Sequence, residues 1–324
     1  MKFVRIINDD QLAVGVIDGD DAVELIPALT AKRALSPTET TQLSDMTALI
    51  TAGPAGRALA QEALEASRSG GKGRRKLSDV QLAAPLHPGL ILASGGNYSD
   101  HRNEKDEAPL AGKEPEFFFK TPNSVIGPEE AIERDPRVTS KLDYEVELAV
   151  VIGKKGRHIR EEQVADYIFG YCILNDITAR ERQVRWRPDG TYFYEAGSSK
   201  NFDTSTPLGP FIATADEVLD PQNLALRTYV NDELRQNNST RNMTFSAAHL
   251  VSFFSTFLTL YPGYVIATGT PGGTAWGNDP ELGGKPYLRD DVVRGGYLNV
   301  GDVVRCEVEK LGVLRNVVVG PQYP

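Results

Sequence analysis

The chain has 324 residues, about two domains' worth at roughly 150 residues each, and its 40% hydrophobic and 24% charged content is that of an ordinary folded chain. With 35 Lys+Arg against 44 Asp+Glu the net charge is -9, which argues against a phosphate-tracking nucleic-acid binder and against an anionic membrane surface as partner. Two cysteines, Cys172 and Cys306, and four histidines exclude a disulfide scaffold, a thiolate metal cluster and a polyhistidine array.

The first thirty residues read as short strands, Lys2–Ile7, Gln11–Ile17 and Ala22–Ile26, divided by Asp-Asp and Asp-Gly turns. Asp9 and Asp10 stand where a signal peptide needs its apolar stretch. Helical pattern follows over about 44–50 and 54–66, the second with Leu59, Ala60, Ala63 and Leu64 on one face. The stretch Ser67–Lys76, SRSGGKGRRK, is glycine-rich and basic and reads as an exposed linker. It sets a small N-terminal α+β domain over 1–77 apart from a catalytic-sized domain over 78–324.

From about residue 90 the texture turns to short strands with glycine and proline turns. Phe117–Lys120, Leu142–Ile152, Ile168–Asn175, Leu224–Asn231, Gly263–Thr268, Val303–Val308 and Val313–Val319 are the strand candidates. Helix is expected at Glu161–Tyr167 and at Ser246–Leu260, with Ser246 as N-cap. Helices do not regularly separate the strands, so the expected class is α+β, predominantly β, and not a doubly wound sheet. No run reaches 18 apolar residues, and Leu250–Tyr261 is broken by Ser252, Ser255, Thr256 and Thr259. A cytoplasmic protein with no membrane partner is expected.

Leu142–Val151, LDYEVELAVV, is the most informative stretch. Strand alternation puts Tyr144, Val146, Leu148 and Val150 on one face and Asp143, Glu145 and Glu147 on the other. Glutamates on one face repel unless a cation or proton lies between them. An all-oxygen ligand set suits Mg²⁺ or Mn²⁺ better than zinc. An edge strand with a solvated acidic face accounts for the same residues. Asp176 ends the apolar strand 167–174, where it reads as a site carboxylate or as a turn or cap residue. His101 and Glu104, three apart after Gly95 and Gly96, face one side of a helical turn. A carboxylate partner fixes the imidazole tautomer for proton transfer, although a surface ion pair has the same spacing.

Taken in order, NYSDHRNE (97–104), FFFKTPNSVIGP (117–128), LDYEVELAVVIGK (142–154), YIFGYCILNDITARERQ (167–183), SKNFDTSTPLGPFIAT (199–214), VNDELRQNNSTRNMTF (230–245) and VIATGTPGGTAWG (265–277) resemble the fumarylacetoacetate hydrolase family over about residues 88–320. The resemblance implies a mixed β-roll catalytic domain, usually a homodimer, with a small carboxylic acid as substrate. It also implies a divalent metal, Mg²⁺ or Mn²⁺ with Ca²⁺ as the alternative. By motif the metal carboxylates fall on Glu145, Glu147 and Asp176, and the family's histidine–glutamate dyad falls on His101 and Glu104. The family lysine falls on Lys200, which otherwise reads as a surface lysine between Ser199 and Asn201. Substrate-contacting positions fall on Tyr98, Arg180, Gln183 and Thr270.

The implied reaction is hydrolysis of a C–C bond in a β-diketo acid of the acylpyruvate or fumarylpyruvate type, with the dyad activating water. The same fold also serves 2-oxo acid decarboxylation, isomerisation and sugar-acid dehydration. A non-enzymatic binding protein for small acids is the reading from another class; intact His101, Glu104 and Lys200 count against it.

The chain also departs from the family pattern. Asn201 stands where serine is common, Tyr264 where aspartate often is, and the Asn231–Asp232 hairpin lacks its usual glycine. The aromatic stretch 184–198, with Trp186, Tyr192, Phe193 and Tyr194, is expected as a pocket wall or dimer contact. The 274–291 insert is expected as a solvent loop whose Lys285 and Arg289 could meet a distal anion. Gly269–Gly273 lacks the lysine–serine/threonine ending of a phosphate loop.

Overall fold

The computed structural model describes residues 1–9, 11–104, 113–286 and 289–322. Among them a 12-stranded sheet runs in the order Arg74–Lys76, Asp21–Glu24, Gln11–Asp18, Lys2–Asn8, Thr206–Thr214, Ile168–Asn175, Val146–Ile152, Val265–Ala267, Ile91–Gly95, Glu116–Lys120. Gln81–Ala83 and Val125–Ile126 pair off this path. A 5-stranded sheet is built from Glu233–Ser239, Ala225–Val230, Val303–Val308, Gly312–Val319 and Ile132–Glu133.

Val146–Ile152 is buried along its whole length because both faces of its sheet are covered. Val146, Leu148, Val150 and Ile152 join one core, together with residues of the second sheet and of the Ala247–Phe257 helix. Ala149 and Val151 join the other, together with the N-terminal helices Leu25–Thr30, Met46–Thr51 and Pro54–Gly70. An edge strand with a solvated acidic face is thereby excluded. The Pro54–Gly70 helix buries Gly56, Leu59, Ala60, Ala63 and Leu64 and stops at Gly71, which adopts the left-handed conformation with its N–H on the Ser67 carbonyl. Each such leucine contributes about 1.5–3 kcal/mol relative to exposure.

The whole is a mixed α+β fold, a larger β-rich core with a smaller N-terminal α+β region. Ser246 caps its helix as expected, accepting from the His249 N–H at 3.0 Å. The Asn231–Asp232 turn manages without glycine: both residues have positive φ, and Asn231 accepts from the Val303 N–H at 2.9 Å. Several expectations are corrected. Ser67–Lys76 is no open linker. It finishes a helix and supplies the Arg74–Lys76 strand, whose basic side chains meet Asp18, Asp21 and Glu24. Glu161–Tyr167 is a 3-10 helix. The Thr206–Thr214 strand escapes pattern reading because Pro207, Gly209 and Pro210 look like a break. Pro210 lies where the register against Ile168–Asn175 shifts, a position that needs no N–H donor. Cys172 and Cys306 are both free and buried, one in each core. Among the described residues no helix is long and apolar enough to cross a membrane.

Candidate active site and metal centre

Val146–Ile152 and Ile168–Asn175 are antiparallel with Val146 opposite Asn175, so the chain entering the first meets the chain leaving the second. The Asp176 N–H donates to the Glu145 carbonyl at 2.8 Å, and Asn175 Oδ1 accepts from the Glu145 N–H at 2.9 Å. This brings Glu145, Glu147 and Asp176 together, buried, with one oxygen of each within 4.8 Å of the others. Burial, with Asp176 and Glu145 close by, pushes the Glu147 carboxyl far above the usual range. Burial also opposes ionisation of Glu145, but the Lys200 ammonium and Arg180 guanidinium outweigh it and hold that carboxyl well below the usual range.

Three buried cations brace the acids. Lys200 Nζ donates to Glu145 Oε2 at 2.7 Å, to Asp176 Oδ2 at 2.6 Å and to Thr178 Oγ1 at 2.7 Å. Lys120 Nζ reaches Asp176 Oδ1 and the Lys200 carbonyl, both at 2.6 Å. Arg180 spans Glu145 Oε1 at 2.5 Å and Asp143 Oδ2 at 2.7 Å. Burial works against the Lys200 charge, but Asp176 and Glu145 outweigh it and raise its pKa; for Lys120 burial wins and lowers it. The carboxylates Asp143, Glu145, Glu147 and Asp176 thus face one fewer cation, Lys120, Arg180 and Lys200. That surplus of buried carboxyl groups over cations, with Glu147 bonded to none of the three, is an all-oxygen donor set that fits a hard divalent cation such as Mg²⁺ or Mn²⁺.

The dyad stands beside this cluster. The short helix Ser99–Arg102 carries His101, and the Asn97 side chain anchors its entry on the Phe245 and Thr268 carbonyls at 2.9 and 2.7 Å. His101 Nδ1 is 2.7 Å from Glu104 Oε2, which leaves Nε2 at 3.9 Å from Glu145 Oε1. Glu104 accepts from the Gly273 N–H at 2.8 Å and from Thr274 Oγ1 at 3.0 Å. Burial nonetheless raises its carboxyl. The 269–273 loop is therefore a cradle for the protein's own anions, since the Gly269 N–H also donates to Glu147 Oε2 at 2.6 Å. Glycine is required at both donors: φ is +93° and +104°, and a Cβ would stand 2.8 Å from Asn97 Cβ and 2.2 Å from the Arg235 carbonyl oxygen, respectively.

A cavity of about 190 Å³ opens onto the cluster, and His101, Glu145, Glu147, Gln183, Lys200 and Thr270 all line it. Lys200 is buried, against the surface reading of its neighbours in sequence. Asp176 and Glu104 lie directly behind the wall, on Lys200 and His101 respectively. Two expected contact residues are not on the wall. Tyr98 is a core residue whose backbone bridges Met243, and Arg180 acts on the cavity through Glu145 and through Gln183 Oε1 at 2.8 Å.

Pattern reading overlooked Lys120 and the walls Glu116, Phe118 and Trp276, and it placed Asp143 on the acidic face without its role as the anchor of Arg180. Residues 275–277 are not a solvent loop but part of a buried turn, because Asp143 accepts from the N–H groups of Ala275 and Trp276 at 2.9 and 3.0 Å. Within the same insert, Arg289 is held by Asp291 and the Asn237 carbonyl, and positions 287–288 lie outside the described residues. The aromatic stretch forms a hairpin, Val184–Trp186 with Tyr192–Tyr194. Its Tyr194 lines the cavity as expected and meets the Trp276 ring edge-on, with centroids 5.7 Å apart. Asn201, one of the departures, ties the Glu116–Lys120 strand to the Lys200 turn. It accepts from the Thr121 N–H at 2.7 Å and donates to the Phe119 carbonyl at 3.0 Å.

The model of the fumarylacetoacetate (FAA) hydrolase C-terminal family matches residues 90–319. Oxaloacetate tautomerase fahd2, mitochondrial, of Xenopus laevis is 40% identical over 243 residues, which is 75% of this chain and 69% of that protein. The fumarylacetoacetate hydrolase structure from psychrophilic Exiguobacterium antarcticum matches with a TM-score of 0.75 at 32% identity, covering 99% of this chain and 100% of that one. Maleylpyruvate hydrolase from Sphingobium sp. SYK-6, solved with manganese (II) and pyruvate, matches with a TM-score of 0.72 at 29% identity over the same shares. With its acid cluster, its dyad and this match, the chain belongs to the fumarylacetoacetate hydrolase family and carries a site able to hold a divalent cation.

Proposed function

We propose that this chain is a divalent-metal-dependent isomerase that interconverts the keto and enol forms of a small 2-oxo acid. The observation that carries the reading is His101, anchored at Nδ1 by Glu104 and 3.9 Å at Nε2 from the acid cluster, a proton-transfer group poised over the place where a 2-oxo acid would chelate. A metal bound by Glu145, Glu147 and Asp176 supplies Lewis acidity and a chelation point for the 2-oxo acid end. His101 Nε2 takes the proton from the carbon beside the ketone and returns one on the reverse path, while Glu104 holds the ring and balances its charge. Lys200, whose three N–H bonds go to Glu145, Asp176 and Thr178, adds positive charge beside the negative charge developing at the ketone oxygen. Thr270 and Gln183 orient the acid, and Tyr194 and Trp276 keep bulk water out.

Two further observations support isomerisation over the C–C hydrolysis that the sequence reading put first. The relative at 40% identity is named a tautomerase, whereas the two hydrolase structures stand at 32% and 29%. The cavity is also smaller than the roughly 300–1,000 Å³ of a pocket for a drug-sized ligand. Hydrolysis of an acylpyruvate is the second reading, favoured by those two structures and by a dyad that could equally activate water. The cytoplasmic location and homodimer belong to the same proposal. Exposed Trp186 and Phe193 offer apolar surface for pairing, which sedimentation measures.

The test is loss of enol absorbance from a panel of 2-oxo and 2,4-dioxo acids, using metal-depleted protein with and without Mn²⁺. Metal-dependent enol loss with no second product supports isomerisation; release of pyruvate and a second acid selects hydrolysis instead. His101→Ala should lower kcat by about 10²–10⁴-fold and leave Mn²⁺ affinity unchanged. Unchanged turnover in that variant would remove His101 from the mechanism.

A further inference from the structure

Building on the isomerase reading, we propose that Glu116 reads the far end of the substrate, selecting 2-oxo acids whose tail ends in a hydroxyl over those that end in a second carboxylate. The strand Glu116–Lys120 runs beside Ile91–Gly95, with Glu116 opposite Gly95. Alternation places Glu116, Phe118 and Lys120 on one face. That face follows the site from one end to the other. Lys120 grips the ligand residue Asp176 at 2.6 Å, and the Phe118 ring lies 5.1 Å from Lys200 Nζ. Glu116 is two residues beyond Phe118, roughly 7 Å further along at strand spacing. Both Phe118 and Glu116 line the cavity, so the strand acts as a ruler whose zero is the acid cluster and whose far mark is a carboxylate.

The Glu116 carboxylate differs from the other charged groups of the cavity. His101 is bound to Glu104, Glu145 to Lys200 and Arg180, and Glu147 to the Gly269 N–H. Glu116 is half-buried, and its carboxylate has no hydrogen bond or ion pair among the described residues. Lys200 is the cation among the described lining residues, and Glu145 and Asp176 already hold it. A second substrate carboxylate reaching Glu116 would meet a like charge, with no further cation among the described lining residues to neutralise it. A hydroxyl would instead donate to Glu116 in a charge-assisted hydrogen bond. Ser94, next to Gly95, lines the same cavity, and its buried hydroxyl has no partner among the described residues, leaving a further polar group for such a tail.

The test uses a matched pair, oxaloacetate and 4-hydroxy-2-oxobutanoate, which differ in a terminal carboxylate against a terminal CH₂OH. With Mn²⁺-loaded wild type and Glu116→Gln, two quantities are measured: solvent deuterium exchange at C3 by NMR, over the rate with Mn²⁺ alone, and affinity by calorimetry. The wild type should favour the hydroxy acid by about tenfold or more in both, and Glu116→Gln should bring the ratio close to one, chiefly by improving oxaloacetate. Parity or an oxaloacetate preference in the wild type, or an unchanged ratio in the variant, overturns the assignment. Glu116→Ala, with its melting temperature matched to wild type, guards against a folding artefact. Absence of exchange on both acids would fell the isomerase reading alone, since the affinity ratio still decides Glu116.

Discussion

Two networks of paired charges in this chain use the same residue types at the same distances and stand in opposite environments. In the N-terminal hairpins Arg68, Arg74 and Lys76 meet Asp18 and Asp21 at 2.5–2.9 Å, with Arg68 and Lys76 exposed by 55% and 62%. Beneath the cavity Lys120, Arg180 and Lys200 meet Asp143, Glu145 and Asp176 at 2.5–2.7 Å with almost no exposure. At the surface water solvates each ion nearly as well as its partner does, so a pair adds about 0–1 kcal/mol. Below the cavity no water replaces a lost partner, and a charge left alone there costs about 3–5 kcal/mol. The surface network fastens a strand; the buried one fixes where charge can stand, which is what a metal site needs.

Breaking the buried network should show the largest effect. Arg180→Met leaves Asp143 and Glu145 without their guanidinium and should lower stability by about 3–5 kcal/mol in urea denaturation. A loss under about 1 kcal/mol would place this pair with the surface ones. Glu147→Gln should weaken Mn²⁺ binding by at least the roughly 100-fold that losing an outer partner of a metal ligand can cause. The same variant should lose the stabilisation that metal gives the wild type, about 2.7 kcal/mol at 100 times Kd. Undiminished affinity by calorimetry would take Glu147 off the ligand set. Arg74→Ala should cost about 1 kcal/mol or less, and its difference from wild type should close as salt approaches 1 M, where the Debye length is about 3 Å.

Much of the site was legible in the sequence because strand parity and motif order survive folding. Glu145, Glu147 and Asp176 do converge, and His101 does face Glu104. Parity does not report depth, however. The acidic face looked as if it could be solvated, and only the pairing of Val146–Ile152 with neighbours on both sides buries it. Lys120 was missed because it ends a short strand with nothing unusual around it in sequence, and its partner lies 56 residues away; Asp143 was read on the acidic face, but its hold on Arg180, 37 residues on, and on the 275–276 turn joins residues far apart in the chain. Trp276 was invisible as a wall because the carboxylate of Asp143, 133 residues earlier, is what folds the insert inward. Tyr98 shows the converse: it stands inside a recognised motif, yet the bridge to Met243 keeps it in the core.

The pairing of Lys2–Asn8 with Thr206–Thr214 has a consequence for how the molecule is made. Lys2 sits opposite Ala213 and Phe3 opposite Ile212, so the first two residues of this strand must wait for a partner translated some two hundred residues later. At about 5–20 residues per second that interval is on the order of 10–40 s on the ribosome. During it the hairpin partner Gln11–Asp18 protects one edge of Lys2–Asn8 and Gln81–Ala83 covers Arg5–Ile7 on the other, which leaves the Lys2–Phe3 end of that edge open. Such an open edge is a template for pairing with the wrong chain. Yield of assembled protein should therefore depend on elongation rate and on chaperone supply more than its equilibrium stability would indicate.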